Sequence, residues 1–126
     1  MRAVVYDAGV LIAADRNERE VWLEHRLLLQ AGIVPLVPAP VVAQVSRAPS
    51  QAQFRRILQS CEVVSFDEAS AHRAGSLLAK TKGRDVVDAA VVTVAESHGA
   101  DIHTRDPEDI QPLVQAAGLS TMIRSS

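Results

Sequence analysis

The 126-residue chain lacks the means for several common kinds of chemistry. It has one cysteine, Cys61, so no intramolecular disulfide and no cysteine-based zinc site can form within it. That usage fits a reducing, cytoplasmic setting. Its four aromatic residues, Tyr6, Trp22, Phe54 and Phe66, are too few for a broad base-stacking platform. No apolar run is long enough to span a bilayer. The opening stretch MRAVVYDAGVLIAAD is interrupted by Asp7 and reads as neither a membrane helix nor a signal peptide. There is no P-loop and no GxGxxG, so nucleotide-cofactor chemistry has no support. The serines and Cys61 stand in no nucleophile motif. A net charge of −2 excludes a polybasic nucleic-acid binder.

What is present suits one globular domain spanning residues 1–126, since a chain of this length can bury a core without staples. The charge is unevenly spread. Between Gln44 and Arg84 there are seven basic residues and three acids, whereas the rest of the chain holds six basic residues and twelve acids. The middle is positive and the ends are negative. A set of solvated helix faces explains this; so does a cationic surface beside an acidic centre.

A helix, then glycine, then a short β-branched run recurs three times, through Gly32, Gly99 and Gly118. Glycine just past a helix is the left-handed cap. Helices alternating with short apolar strands indicate an α/β fold with a parallel sheet. Strands are expected at Ala3–Tyr6, Val34–Val37, Glu62–Phe66, Asp101–Thr104 and Ser120–Ile123. Helices are expected over about 10–14, 18–31, 40–47, 51–60, 67–82 and 85–98, with a short one in DPEDIQPLVQAAG.

On this pattern Asp7 directly follows the first strand and Asp106 lies just past the fourth. In open α/β sheets the site sits at the carboxyl ends of the strands, so these two would share an edge. Asp85 and Asp88, in GRDVVDAAVVTVA, share a helix face at i and i+3. Each acid also has a plain reading. Asp7, Asp85 and Asp106 suit N-caps, and Asp88 sits where a capping box prefers glutamate. Asp109 reads as a first-turn acid favoured by the helix dipole. Taken together, three or four converging carboxylates repel one another unless protons or a cation neutralise them. Oxygen ligands favour Mg²⁺, Mn²⁺ or Ca²⁺ over zinc, and Mg²⁺ needs only one or two direct carboxylates. A carboxylate-held Mg²⁺ can activate water for phosphodiester hydrolysis.

The sequence resembles the PIN domain, specifically the VapC-type toxin ribonucleases of toxin–antitoxin pairs. Four stretches carry the likeness, in order, across almost the whole chain: VVYDAGVLIA, VPAPVVAQVSR, DVVDAAVVTVA and IHTRDPEDI. They put Asp7 in the role of the first acid, Asp88 in that of the third motif, and Thr104 and Asp106 in the last. The resemblance implies a three-layer α/β/α sandwich with a central, mainly parallel sheet. It implies Mg²⁺- or Mn²⁺-dependent cleavage of RNA, with Asp7, Asp88 and Asp106 holding the metal. It also implies a cognate antitoxin and a homodimer. One position departs from the pattern: Gln44 stands where the family usually has glutamate. That removes a negative charge, which Asp85 could restore beside Asp88. Thr104 could hold a water or an aspartate through its hydroxyl.

The basic residues from Arg47 to Arg84 would attract an RNA backbone without reading bases. The four histidines lack metal spacing and read as structural or surface groups, although His103, beside Thr104, could approach the site. A dimer could use the helix carrying Trp22, Leu27 and Leu28, or those residues could belong to the core. Gln44 also leaves open an inactive PIN-like module that binds RNA or protein. A receiver-like phosphoacceptor domain would need an acidic pair near the first strand, where Asp7 stands alone. An antitoxin or scaffold would need a DNA-binding segment or a disordered tail, and neither is visible.

Overall fold

The computed structural model describes residues 2–119, 121 and 123–125. These form five strands and seven helices: β1 (Val4–Tyr6), α1 (Ala8–Asp15), α2 (Arg19–Gln30), β2 (Leu36–Pro38), α3 (Ala39–Val45), α4 (Ala52–Gln59), β3 (Glu62–Val64), α5 (Glu68–Thr81), α6 (Val86–His98), β4 (Asp101–Thr104), α7 (Pro107–Ala117) and β5 (Ile123–Ser125). The strands make one parallel sheet in the order β3-β2-β1-β4-β5, flanked by helices. The expected α/β architecture is therefore present. Among the described residues, no helix is long and apolar enough to cross a membrane.

The strand order places the site. From β1 the chain adds β2 and β3 on one side and β4 and β5 on the other. The order reverses between β1 and β4, and a crevice opens at the carboxyl ends of such a pair. The β1–β4 register pairs Val4 with Asp101, Val5 with Ile102 and Tyr6 with His103. Asp7 thus emerges level with the end of β4.

The core is aliphatic. Val5, Val37 and Ile102 of the sheet are fully buried. The α6 helix contributes an unbroken buried run, Ala89–Ala95. A helix apolar all round belongs in the interior, and small alanines let it lie close to its neighbours. Its buried position fixes where its N-terminal carboxylates point. Gly99 and Gly118 close α6 and α7 with φ of 59° and 68°, the left-handed conformation that glycine adopts without steric cost.

Two strands lie later than their β-branched runs suggest. β2 begins at Leu36, and Val34 stays outside it, 52% exposed. β5 is Ile123–Ser125, whereas the expected strand begins at Ser120. Ser120 and Met122 lie outside the described residues. On α2, Trp22 and Leu28 pack against the core and Leu27 is 55% exposed.

Candidate functional site: an acidic cavity at the β1–β4 switch point

A cavity of about 160 Å³ is lined by Asp7, Asp85, Asp88, Asp106, Asp109 and Gln44, with Ala8, Gly9, Ile12 and Val87. Chain elements from four parts of the sequence bring these side chains together. Asp7 caps α1, accepting a 2.7 Å hydrogen bond from the Ala8 N–H. Gln44 comes from α3. Asp85 caps α6 by accepting from the Asp88 N–H at 3.0 Å. Asp106 holds the N-cap position of α7, but its side chain makes no capping bond.

Thr104 ties the two strand ends. Its hydroxyl donates to Asp7 Oδ2 at 2.6 Å and accepts from the Asp106 N–H at 3.0 Å. Thr104 is fully buried and Asp7 nearly so. Asp7 therefore keeps a fixed orientation while part of its lone-pair capacity stays open to the cavity.

The sequence suggests only a dipole role for Asp109, yet this residue lines the same cavity. A sequence signal for it exists: Asp106–Asp109 repeats the N-cap and i+3 arrangement of Asp85–Asp88. His103 does not join the cavity. On a strand, neighbouring side chains point to opposite faces. Thr104 reaches Asp7, whereas His103 lies beside the Tyr6 ring with centroids 5.9 Å apart. Burial pushes the His103 pKa down to about 4, so it is neutral.

No side-chain ion pair neutralises these acids among the described residues. Burial and the neighbouring carboxylates both favour the protonated forms. Asp88 is pushed up to about 7, chiefly by burial and then by Asp85, Asp7, Asp109 and Asp106. Burial also raises Asp7, against the Thr104 and Ala8 hydrogen bonds, and Asp106 and Asp85 add to the rise. Such a site gains by taking up either protons or a cation.

Among the described residues, no three His, Cys, Asp or Glu side chains close around a single ion. The donor set still fits Mg²⁺ or Mn²⁺, because hard oxygen ligands suit both and Mg²⁺ retains several waters while binding one or two carboxylates. It suits zinc less, since zinc sites are built mainly from nitrogen and sulfur ligands. A second cavity of about 380 Å³ adjoins the first, sharing Asp85, Asp88 and Asp109 and adding Arg84, Leu78 and Pro112. It offers a route to the acids with one cation in its wall.

The structure is similar to a toxin–antitoxin complex from Klebsiella pneumoniae, with TM-score 0.67 at 19% identity over 85% of this chain and 89% of that one. It is similar to VapBC2 from Rickettsia felis bound to a promoter DNA fragment, with TM-score 0.72 at 13% identity over 98% of each chain. It is likewise similar to DNA-bound VapBC from Salmonella typhimurium, with TM-score 0.71 at 14% identity over 99% of this chain and 98% of that one. At these identities the likeness is one of fold. No curated protein sequence matches the chain. The PIN domain family model matches residues 4–111, a span that takes in every carboxylate of the cavity. The chain belongs to the PIN domain family.

Proposed function

We propose that this protein is a divalent-metal-dependent endoribonuclease, the toxin of a toxin–antitoxin pair. The observation that carries this reading is the group of five aspartates around one small cavity at the switch point, without ion-pair partners among the described residues. Family membership and the toxin–antitoxin complexes of similar fold support it.

Asp7, Asp88 and Asp106 would hold the ion, one or two of them directly and the rest through its water ligands, with Asp85, Asp109 or Gln44 assisting. A bound Mg²⁺ or Mn²⁺ supplies water activation and stabilises negative charge on the phosphoryl oxygens. Thr104 keeps Asp7 oriented throughout. Asp88 would be ionised with a cation bound, because a ligating carboxylate is deprotonated. Asp85 or Asp109, which line the same cavity, would be the carboxylates to take a proton from water there. Arg84, in the adjoining cavity, offers its guanidinium to the RNA backbone. In this reading the protein works in the cytoplasm, and a cognate antitoxin restrains it. A homodimer would cover Leu23 and Leu27 of α2, which are 51% and 55% exposed.

A second reading is an inactive PIN-like module that binds RNA or protein. Gln44 favours it, since this residue lines the cavity without contributing charge. Cleavage of total and structured RNA, with Mg²⁺, Mn²⁺ or EDTA, separates the two. Cutting that stops in EDTA and in Asp88→Asn supports the nuclease. Folded, antitoxin-free protein that cuts nothing under any condition supports the inactive module.

A further inference from the structure

The acidic cavity repels the substrate proposed for it. RNA phosphates need counter-charge elsewhere on the surface, and one cavity supplies it. About 640 Å³ in volume, it lies between α2 and α4 and is walled by Arg19, Arg26 and Arg56 with Trp22, His25 and Ser60. Its lining includes no carboxylate. None of the three arginines is ion-paired among the described residues.

The cations are arranged rather than scattered. Arg19, Trp22 and Arg26 recur at i, i+3 and i+7 on α2, which puts them on one face. Glu20 and Glu24 fall on another side of the helix by the same periodicity. Arg56 comes from α4 and sits 4.8 Å from the centre of the Trp22 ring, held there by a cation–π contact. The Trp22 Nε1–H donates to the Ala14 carbonyl at 3.0 Å, which fixes the indole.

The floor is a buried hydrogen-bond relay. The Ser60 hydroxyl donates to the Ile57 carbonyl at 2.8 Å, so the His25 Nε2–H must donate to Ser60 Oγ at 2.7 Å. His25 Nδ1 then accepts from the Tyr6 hydroxyl at 2.8 Å. Tyr6 immediately precedes Asp7 in the chain, so the floor is anchored to the strand that carries the catalytic edge. The rim is anchored too. Glu18, adjoining Arg19, pairs with Arg105 at 2.9 Å, and Arg105 follows Thr104 at the end of β4. The Glu18–Arg105 pair thus ties the N-terminal end of the arginine face to the end of the strand that carries Thr104.

We propose that this cavity is a second RNA-binding site, in which Arg19, Arg26 and Arg56 grip backbone phosphates of a strand whose scissile bond lies at the acidic centre. This rests on the nuclease reading above. Guanidinium forks fit phosphate and carboxylate alike; the link to the acidic edge is what favours RNA over an acidic protein segment. The grip is sequence-independent, because phosphate contacts position a strand without reading it.

Trp22 is the only tryptophan in the chain, so its fluorescence reports on this cavity alone. The test titrates a single-stranded RNA oligonucleotide, and separately poly-glutamate, into the full-length protein in EDTA, where no cleavage is required. The expected result is an RNA-dependent change in Trp22 emission that Arg19→Ala/Arg26→Ala abolishes. The salt dependence of RNA affinity should fall by about 0.7 in log–log slope for each phosphate that the variant no longer neutralises. Arg19→Lys/Arg26→Lys should restore most of the affinity, because lysine keeps the charge. RNA that binds with unchanged affinity and slope in the double alanine variant would overturn the proposal. So would a Trp22 response to poly-glutamate with none to RNA, which would mark a protein-docking site. RNA cleavage without any Trp22 response would reject this second site and leave the nuclease reading intact. A Trp22 response in a protein that never cuts RNA would do the reverse.

Discussion

Thr104 Oγ1 and Asp7 Oδ2 lie 2.6 Å apart, joined by a hydrogen bond that spans 97 positions of sequence. The same hydroxyl accepts from the Asp106 N–H, so one side chain sets two of the proposed metal ligands in register. Thr104→Val keeps the shape and removes both bonds. A buried group left without its partner costs about 1–3 kcal/mol. Partners that orient ligands are worth roughly 10–100-fold in metal affinity or activity. We expect both losses in Thr104→Val, by urea denaturation and by Mn²⁺ titration, and a near-normal Thr104→Ser.

Asp88 makes the metal-free protein sensitive to pH. Its folded pKa, about 7, lies above the ordinary value of 3.8. The folded state therefore binds this proton more tightly than the unfolded chain does. The stabilisation is complete below pH 3.8 and is lost as pH rises through about 7. Asp7, raised in the same direction, adds to the trend. In EDTA, Asp88→Asn should flatten this dependence and be more stable above pH 7. The gain should be about 1–2 kcal/mol, since solvent at a half-buried site screens the full effect. Thermal denaturation across pH checks it. Added Mg²⁺ should raise the wild-type Tm and leave that of the variant nearly unchanged.

Gln44→Glu restores charge to a cavity that already lacks counter-ions. One added carboxylate should tighten divalent-cation binding by about 1 kcal/mol, roughly fivefold, at an effective dielectric between water and protein. The same change should lower stability in EDTA. Calorimetric titration with Mn²⁺ and denaturation in EDTA, run on one preparation, measure the two opposite effects.

Gly9→Ala sets two effects against each other. Alanine in a helix gains roughly 0.5–1 kcal/mol over glycine. Here the new Cβ would meet Arg105 Cβ at 2.9 Å and Cγ at 3.1 Å. Those atoms lie close to the backbone and have little room to move. Overpacking of this kind costs about 1–3 kcal/mol, so the variant should be less stable overall. It should also disturb the Arg105–Glu18 pair, which denaturation at high and low salt would detect.

Much of this is legible in the chain because local signals and the global fold agree. Gly99 and Gly118 close their helices as expected, and Asp101–Thr104 is a strand with the bounds its sequence suggests. The edge shared by Asp7 and Asp106 follows from placing each beside a parallel strand. Other features are hidden because they depend on pairing or depth. Val34 looks like strand, yet pairing starts at Leu36, where β1 offers its partner. Trp22, Leu27 and Leu28 look equivalent in sequence, but two pack on the core and one faces out. For Asp85, capping and lining the cavity prove compatible, since the carboxylate caps the Asp88 N–H and still borders the other acids. Asp109 is easily overlooked because a first-turn acid has a sufficient local explanation.

Titration of metal-free protein with Mn²⁺, followed by electron paramagnetic resonance, tests most directly whether the acidic edge is a metal centre. The expected result is Mn²⁺ bound by the wild type and at least about tenfold weaker binding in Asp7→Asn/Asp88→Asn. Mn²⁺ that stays free in the presence of the wild type, or that binds the double variant equally well, would contradict it.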